Sequence, residues 1–233
     1  MKERPILFSA PMVRALLAGT KTLTRRVVKP QPDSTHSGFP YWNVGGYRAS
    51  WCRSAADGGP LEPENPLLCP YGQPGDRLWV REAFRFPGSL DHLSPSVCGD
   101  KALDAGYRTP WAPTQFEADG SRTGEWRGFD TPPEKTKPGK LRPGIHMPRW
   151  ASRITLEITG VRVERLQDIS ETDCCAEGAH GGHGSIPGYG YSATPLEHFQ
   201  HIWKSTGGDW AANPWVWVVE FQRAQAQQKG PAS

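Results

Sequence analysis

Residues Trp215 to Phe221 read Trp-Val-Trp-Val-Val-Glu-Phe. Successive side chains of a strand point to opposite faces, so Trp215, Trp217, Val219 and Phe221 share one face and Val216 and Val218 the other. A strand that is apolar on both faces must run through the interior of a sheet covered on both sides. This segment therefore reads as a central, closing strand, and it constrains the fold more than any other stretch.

Other segments alternate in the same way. From Arg77 to Phe84, Leu78, Val80 and the stem of Glu82 alternate with Trp79 and Arg81. Ile154, Leu156 and Ile158 alternate with Thr155 and Glu157; Gly160 interrupts, and Val161 and Val163 resume on another strand or past a bulge. Thr22, Thr24, Val27 and Val28 favour extended chain.

Three segments carry helical signals instead. Val13, Leu16 and Leu17 lie at helical spacing between Ser9, a candidate cap, and Gly19, a stop. Ser170 caps a helix that Gly178 ends, which leaves Glu177 in its last turn. Thr194-Pro195-Leu196-Glu197 is a capping box with proline in the first turn, ahead of the apolar side Leu196, Phe199, Ile202 and Trp203. Strands and short helices in no regular alternation indicate the α+β class.

With 233 residues, 36% of them apolar, the chain can bury one sizeable core. It reads as a single domain over residues 1–223 with irregular insertions at about 29–74 and 87–144, followed by a frayed tail at 224–233. Tyr41, Trp42, Tyr47 and Trp51 predict that the first insertion is packed down as cover. No apolar run approaches the ~20 residues needed to span a bilayer and no signal-peptide core follows Met1, so a cytoplasmic protein without membrane association is expected.

The five cysteines, with Cys174 and Cys175 adjacent, do not form a disulfide framework. Cys52, Cys69 and Cys98, near His36 and His92, lack the paired spacing of a zinc site, and no metal is expected. Residues His180 to Gly190 are Gly-rich without the ending of a phosphate loop, and read as a flexible lid. His198 and His201 read as surface residues.

The net charge of +3 is small, but residues 1–30 hold Lys2, Arg4, Arg14, Lys21, Arg25, Arg26 and Lys29 against the single acid Glu3. A cluster of that sign is either a solvated face or a holder of phosphate or nucleotide.

Inside that cluster lies Gly19-Thr20-Lys21-Thr22-Leu23-Thr24-Arg25-Arg26. The spacing Gly-x-Lys-x-x-Thr-x-Arg resembles the signature of the ASCH family of PUA-like domains, with Thr24 where the usual pattern has glutamate. The Lys-x-x-Thr form is similar to the branch that contains bacterial N(4)-acetylcytidine amidohydrolases. Gly75–Glu82, His146–Ala151 and Asn213–Trp217 resemble recurring phrases of a long, prophage-encoded ASCH type.

The resemblance implies a PUA-like β-barrel of mixed strands with short flanking helices and long insertions. It also implies an amidohydrolase acting on a linear amide, the acylated exocyclic amine of cytidine or a related modified nucleoside. Lys21, Thr24 and Glu177 are the implied catalytic residues, Gly19, Arg26, Glu82 and Trp150 the implied substrate contacts, and no cofactor is required.

Such residues suit amide hydrolysis. Thr24 supplies a hydroxyl nucleophile, Lys21 a base once partly desolvated, and Glu177 an acid for the leaving nitrogen. Backbone amides near Gly19 supply oxyanion donors, and Arg26 a charge for nucleoside or phosphate. A route without a covalent step, with Glu177 activating water and Lys21 polarising the carbonyl, fits equally. Asp173, one turn before Glu177, is a substitute for it. The partner is then a modified nucleoside or single-stranded RNA, met by a monomer. The other readings are an RNA-binding or RNA-processing module without deacylase activity, and a phage assembly factor.

Overall fold

In the computed structural model, residues 1–36, 39–44, 47–50, 67–126 and 136–224 are described. The strands are β1 (Glu3–Leu7), β2 (Leu23–Val27), β3 (Ser34–His36), β4 (Phe39–Val44), β5 (Tyr47–Ser50), β6 (Arg77–Arg81), β7 (Phe84–Arg85), β8 (Thr114–Phe116), β9 (Arg122–Thr123), β10 (Thr155–Arg165), β11 (Gly182–His183), β12 (Ser192–Ala193) and β13 (Trp215–Arg223). The helices are α1 (Ala10–Leu17), α2 (Pro95–Asp104), α3 (Glu171–Ala176) and α4 (Pro195–Ser205).

A mixed five-stranded sheet has the order β1-β6-β10-β13-β2, with β1 parallel to β6 and β13 antiparallel to β2. The class is α+β. Among the described residues the order is that of an open sheet, and the barrel implied by the resemblance is not shown. The chain divides into two compact units, chiefly Gly19–Asp76 with Glu157–Gln222, and Lys2–Ala18 with Arg77–Leu156.

In the first unit, β13 is as buried as its sequence demands: Trp215 to Val219 and Phe221 are all buried. Its Val216 and Val218 join Leu23, Leu166, Ile169, Cys174, Ala179, Phe199 and Trp203 in one apolar cluster, which lays α3 and α4 on that face. Ser170 caps α3 by accepting from the Asp173 N–H, and Thr194 and Glu197 form the reciprocal capping box of α4.

Gly160 does not interrupt a strand. β10 is continuous through it, and a Cβ there would stand 2.7 Å from Oε2 of Glu220. Glycine leaves room for the neighbouring carboxylate, which a side chain there would have to displace.

The first insertion is not irregular throughout, because β3, β4 and β5 form an antiparallel meander. Trp42 is buried and donates from Nε1 to the Pro30 carbonyl at 2.8 Å. Trp51, Cys52 and residues 225–233, and with them most of the expected tail, lie outside the described residues.

The glycine-rich segment is anchored at its base, where β11 pairs with β12. The Gly181 N–H donates to Nδ1 of His198 at 3.2 Å, so His198 is a partly buried structural acceptor and not a free surface residue.

In the second unit, Val13 and Leu16 of α1 are buried, each contributing roughly 1.5–3 kcal/mol by the usual transfer scale. The expected irregular insertion after Pro87 holds a helix, α2, and the strands β8 and β9, which pair with β7 ahead of it in a small sheet. Ser94 caps α2 and Pro95 opens it, but its buried stripe consists only of Cys98, Gly99 and Ala102. So weak an apolar side gives no periodicity to read.

Candidate active site

The end of α3 fixes the site, which lies within the first unit. Glu177 is the C-cap residue, and Gly178 beyond it has φ +91°, a conformation glycine adopts without strain. The last carbonyls of a helix lack intrahelical partners, and two of them are met by the segment before β2. The Thr22 N–H donates to the Ala176 carbonyl at 2.8 Å, and Lys21 Nζ donates to the Glu177 carbonyl at 2.9 Å. Gly19, with φ +73°, turns the chain into this segment.

Lys21 and Glu177 then meet side chain to side chain. Nζ of Lys21 donates to Oε2 of Glu177 at 2.5 Å. The other oxygen, Oε1, accepts from the backbone N–H of Arg25 at 2.6 Å.

The second bond follows from the ladder of β2. Val28 N–H and Thr22 C=O pair with β13, so even-numbered residues turn their backbone groups toward it. Arg25 N–H therefore points out of the sheet edge, and the Glu177 carboxylate covers it.

Lys21, Arg25 and Glu177 are 3%, 3% and 6% exposed. Burial pushes the Lys21 amine below its ordinary range, the Glu177 charge opposes that shift, and Arg26 and Arg25 add to it.

The Arg25 guanidinium extends the site into a chain of alternating charges. It bonds Glu164 through Nε at 3.0 Å and Asp173 through NH2 at 2.5 Å. Arg162 donates to the same two carboxylates, at 3.1 and 2.6 Å, and also to Glu220. One buried Arg25 nitrogen, NH1, has no hydrogen-bond partner and lies 3.8 Å from Oε1 of Glu177. Asp173 is thus engaged by two arginines and does not replace Glu177 at Lys21.

Thr24 is 1% exposed and stands opposite Val219 in the antiparallel register. Its main chain is tied to the site, since the Arg25 nitrogen held by Glu177 is bonded to the Thr24 carbonyl carbon. Arg26, opposite Trp217, shares the strand face of Thr24 and is half-buried. Beside Gly19 there is open space where a Cβ would be.

Glu82 and Trp150 belong to the second unit. Glu82 is 1% exposed, and both its oxygens accept from Arg153, at 2.8 and 2.9 Å. Burial raises the Glu82 carboxyl above its ordinary range, opposed by Arg153, which also pairs with Asp119 at 2.8 Å. Trp150 stacks on Phe86, with ring centroids 5.7 Å apart.

The basic cluster of residues 1–30 is not one solvated face, because Lys21 and Arg25 are interior and paired with carboxylates. Arg25, Glu164, Arg162 and Glu220 are the participants that sequence reasoning missed. Arg25 shares a strand face with the apolar Leu23 and Val27 of β2, which signals an inward-facing position; its charge argues for the surface.

Cys69, Cys98, Cys174 and Cys175 are in no disulfide, and burial pushes the Cys174 thiol up to about 11. Among the described residues no group of His, Cys, Asp and Glu is arranged to hold a metal ion, and no helix is long and apolar enough to cross a membrane. No family model matches the chain, and no curated protein or solved structure matches it either.

Proposed function

We propose that this protein is an amidohydrolase that removes the acyl group from the exocyclic amine of N(4)-acetylcytidine or a related modified nucleoside. The observation that carries this reading is the buried Lys21–Glu177 pair, joined to the strand of Thr24 through the Arg25 N–H. In this reading the chain is a long ASCH protein, and its five-stranded sheet is part of a PUA-like barrel.

The Thr24 hydroxyl forms the bond to the acyl carbon and gives its proton to Lys21, whose desolvation favours the neutral amine. The carbon–nitrogen bond then breaks, and the departing amine takes a proton relayed through the Lys21–Glu177 pair. Water attacks the resulting threonine ester, releasing the carboxylic acid and restoring the hydroxyl. Donors near Gly19 stabilise the oxyanion of both steps, and Arg26 holds the nucleoside.

Both oxygens of Glu177 already accept hydrogen bonds, which makes it a poor base toward water and favours the covalent route. Lys21 and Arg25, being buried, are closed to a phosphate backbone, which favours a hydrolase over an RNA-binding module.

The test is direct. The protein is incubated with N(4)-acetylcytidine, and cytidine and acetate are measured by chromatography. Stoichiometric release that is lost in Thr24→Val supports the reading; no release by the wild-type protein overturns it.

A further inference from the structure

The second unit contains a cavity of about 420 Å³ whose wall includes His92, Ser94, Pro95, Lys140, Arg142 and His146. Its most unusual component is Arg142. The side chain belongs to a residue only 6% exposed, and it rests over the Phe86 ring at 5.2 Å. Its NH2 donates to the Leu90 and Leu93 carbonyls, at 3.0 Å each, while the buried Nε has no hydrogen-bond partner among the described residues.

Among the described residues no carboxylate lies within ion-pair distance of Arg142. Asp91 directs both oxygens to the Lys140 N–H, at 2.9 and 3.0 Å. A guanidinium taken out of water without a counter-charge is costly, and it cannot escape by losing its proton. Nor can it retract, because the Arg142 backbone is bonded to Phe84 in both directions, at 2.8 and 3.0 Å.

The other polar parts of the wall have the same sense. Ser94 and Pro95 are the cap and first residue of the ten-residue α2, so its positive N-terminal end borders the cavity. Lys140, His92 and His146 are exposed donors around it. The volume is too large for a bare ion and falls in the small-molecule range.

We infer that this cavity binds a phosphate monoester, with Arg142 and the start of α2 receiving the phosphate and Lys140 closing on it from the rim. The body of the ligand is apolar or aromatic, because Leu93, Pro143 and Leu141 complete the wall. This site is independent of the Lys21 chemistry and stands or falls separately.

The probes are inorganic phosphate, phenyl phosphate and phenol, titrated calorimetrically into the full chain. Both phosphorylated probes bind at one site per chain, the ester more tightly, and Lys140→Glu weakens each at least tenfold. Tighter binding of inorganic phosphate assigns the site to the free ion and overturns the monoester. Arg142→Gln abolishes binding where it folds; should it unfold, Lys140→Glu with an unchanged melting temperature carries the test. Failure of both phosphorylated probes to bind at millimolar concentration, or wild-type affinity in Lys140→Glu, overturns the proposal.

Discussion

Nζ of Lys21 lies 2.5 Å from Oε2 of Glu177, a residue 156 positions further along the chain. The contact has two consequences. It holds the end of α3 against the segment that opens β2, and it places a desolvated amine next to a carboxylate that is bonded to the backbone of the Thr24 strand. Several measurements separate the structural consequence from the chemical one.

Thr24→Val keeps the shape of the side chain and removes only the hydroxyl. Stability should stay within about 1 kcal/mol of wild type, while deacylation falls by at least about 10³-fold. Thr24→Ser restores part of the rate. Equal activity in Thr24→Val would remove the nucleophile assignment and leave the water route.

Glu177→Gln keeps an acceptor for the Arg25 N–H but leaves the Lys21 ammonium without its counter-charge. Breaking a buried pair from one side costs about 3–5 kcal/mol. Adding Lys21→Met should recover a substantial part of that loss, because the uncompensated charge is gone. Urea denaturation of the two single variants and the double variant measures this coupling, and strictly additive effects would contradict it.

Burial holds the Lys21 amine below its ordinary value of 10.5. Between the lowered value and 10.5 the native state binds fewer protons than the unfolded chain, so Lys21 makes stability rise with pH across that window. The neutral amine is also the proposed base, so kcat/KM should rise with pH through the same ionisation. A rate that falls steadily from about pH 6 to about pH 10 would contradict the base assignment.

Asp119 acts in the same sense at the acid end of the scale. Its bond to Arg153 leads the causes that lower its carboxyl from 3.8 to about 2. The contribution is therefore present above 3.8 and lost as the pH falls toward about 2. Its exposure makes the effect small. Thermal melts of Asp119→Asn and wild type should differ at neutral pH and converge in acid.

Gly181 has φ +69°, and a Cβ on it would stand 2.4 Å from the Ala193 carbonyl oxygen. That neighbour is backbone and has no rotamer to yield. Gly181→Ala should destabilise the protein by about 1–3 kcal/mol, seen as a lowered urea midpoint. Gly182→Ala, where φ is +95° but the space is open, should cost less.

Local patterns carried much of the fold. The two apolar faces of Trp215–Phe221 required an interior strand, and β13 lies between β10 and β2 with both faces buried. The caps Ser170 and Thr194 marked α3 and α4, because capping is a bond between residues three apart. α2 escaped notice because its buried side is built from Cys98, Gly99 and Ala102, too small to mark a period. Gly160 suggested a break, yet β10 runs through it, and what lies against it is the Glu220 carboxylate of another strand.

The candidate site was legible in pieces. The motif singled out Lys21 and Thr24, and the resemblance added Glu177. No local pattern announces that Arg25 turns inward, since its charge argues for solvent and the face it shares with Leu23 and Val27 for the interior. Burial of Arg25 depends on Glu164 and Asp173 arriving from β10 and α3.

By itself, then, the sequence determined which segments become strands and helices, because periodicity and capping act between near neighbours. Only the tertiary structure decided which charges are neutralised inside and which stay available. Lys21 and Arg25 are tolerated inside because carboxylates from distant segments meet them, and no local rule encodes that meeting.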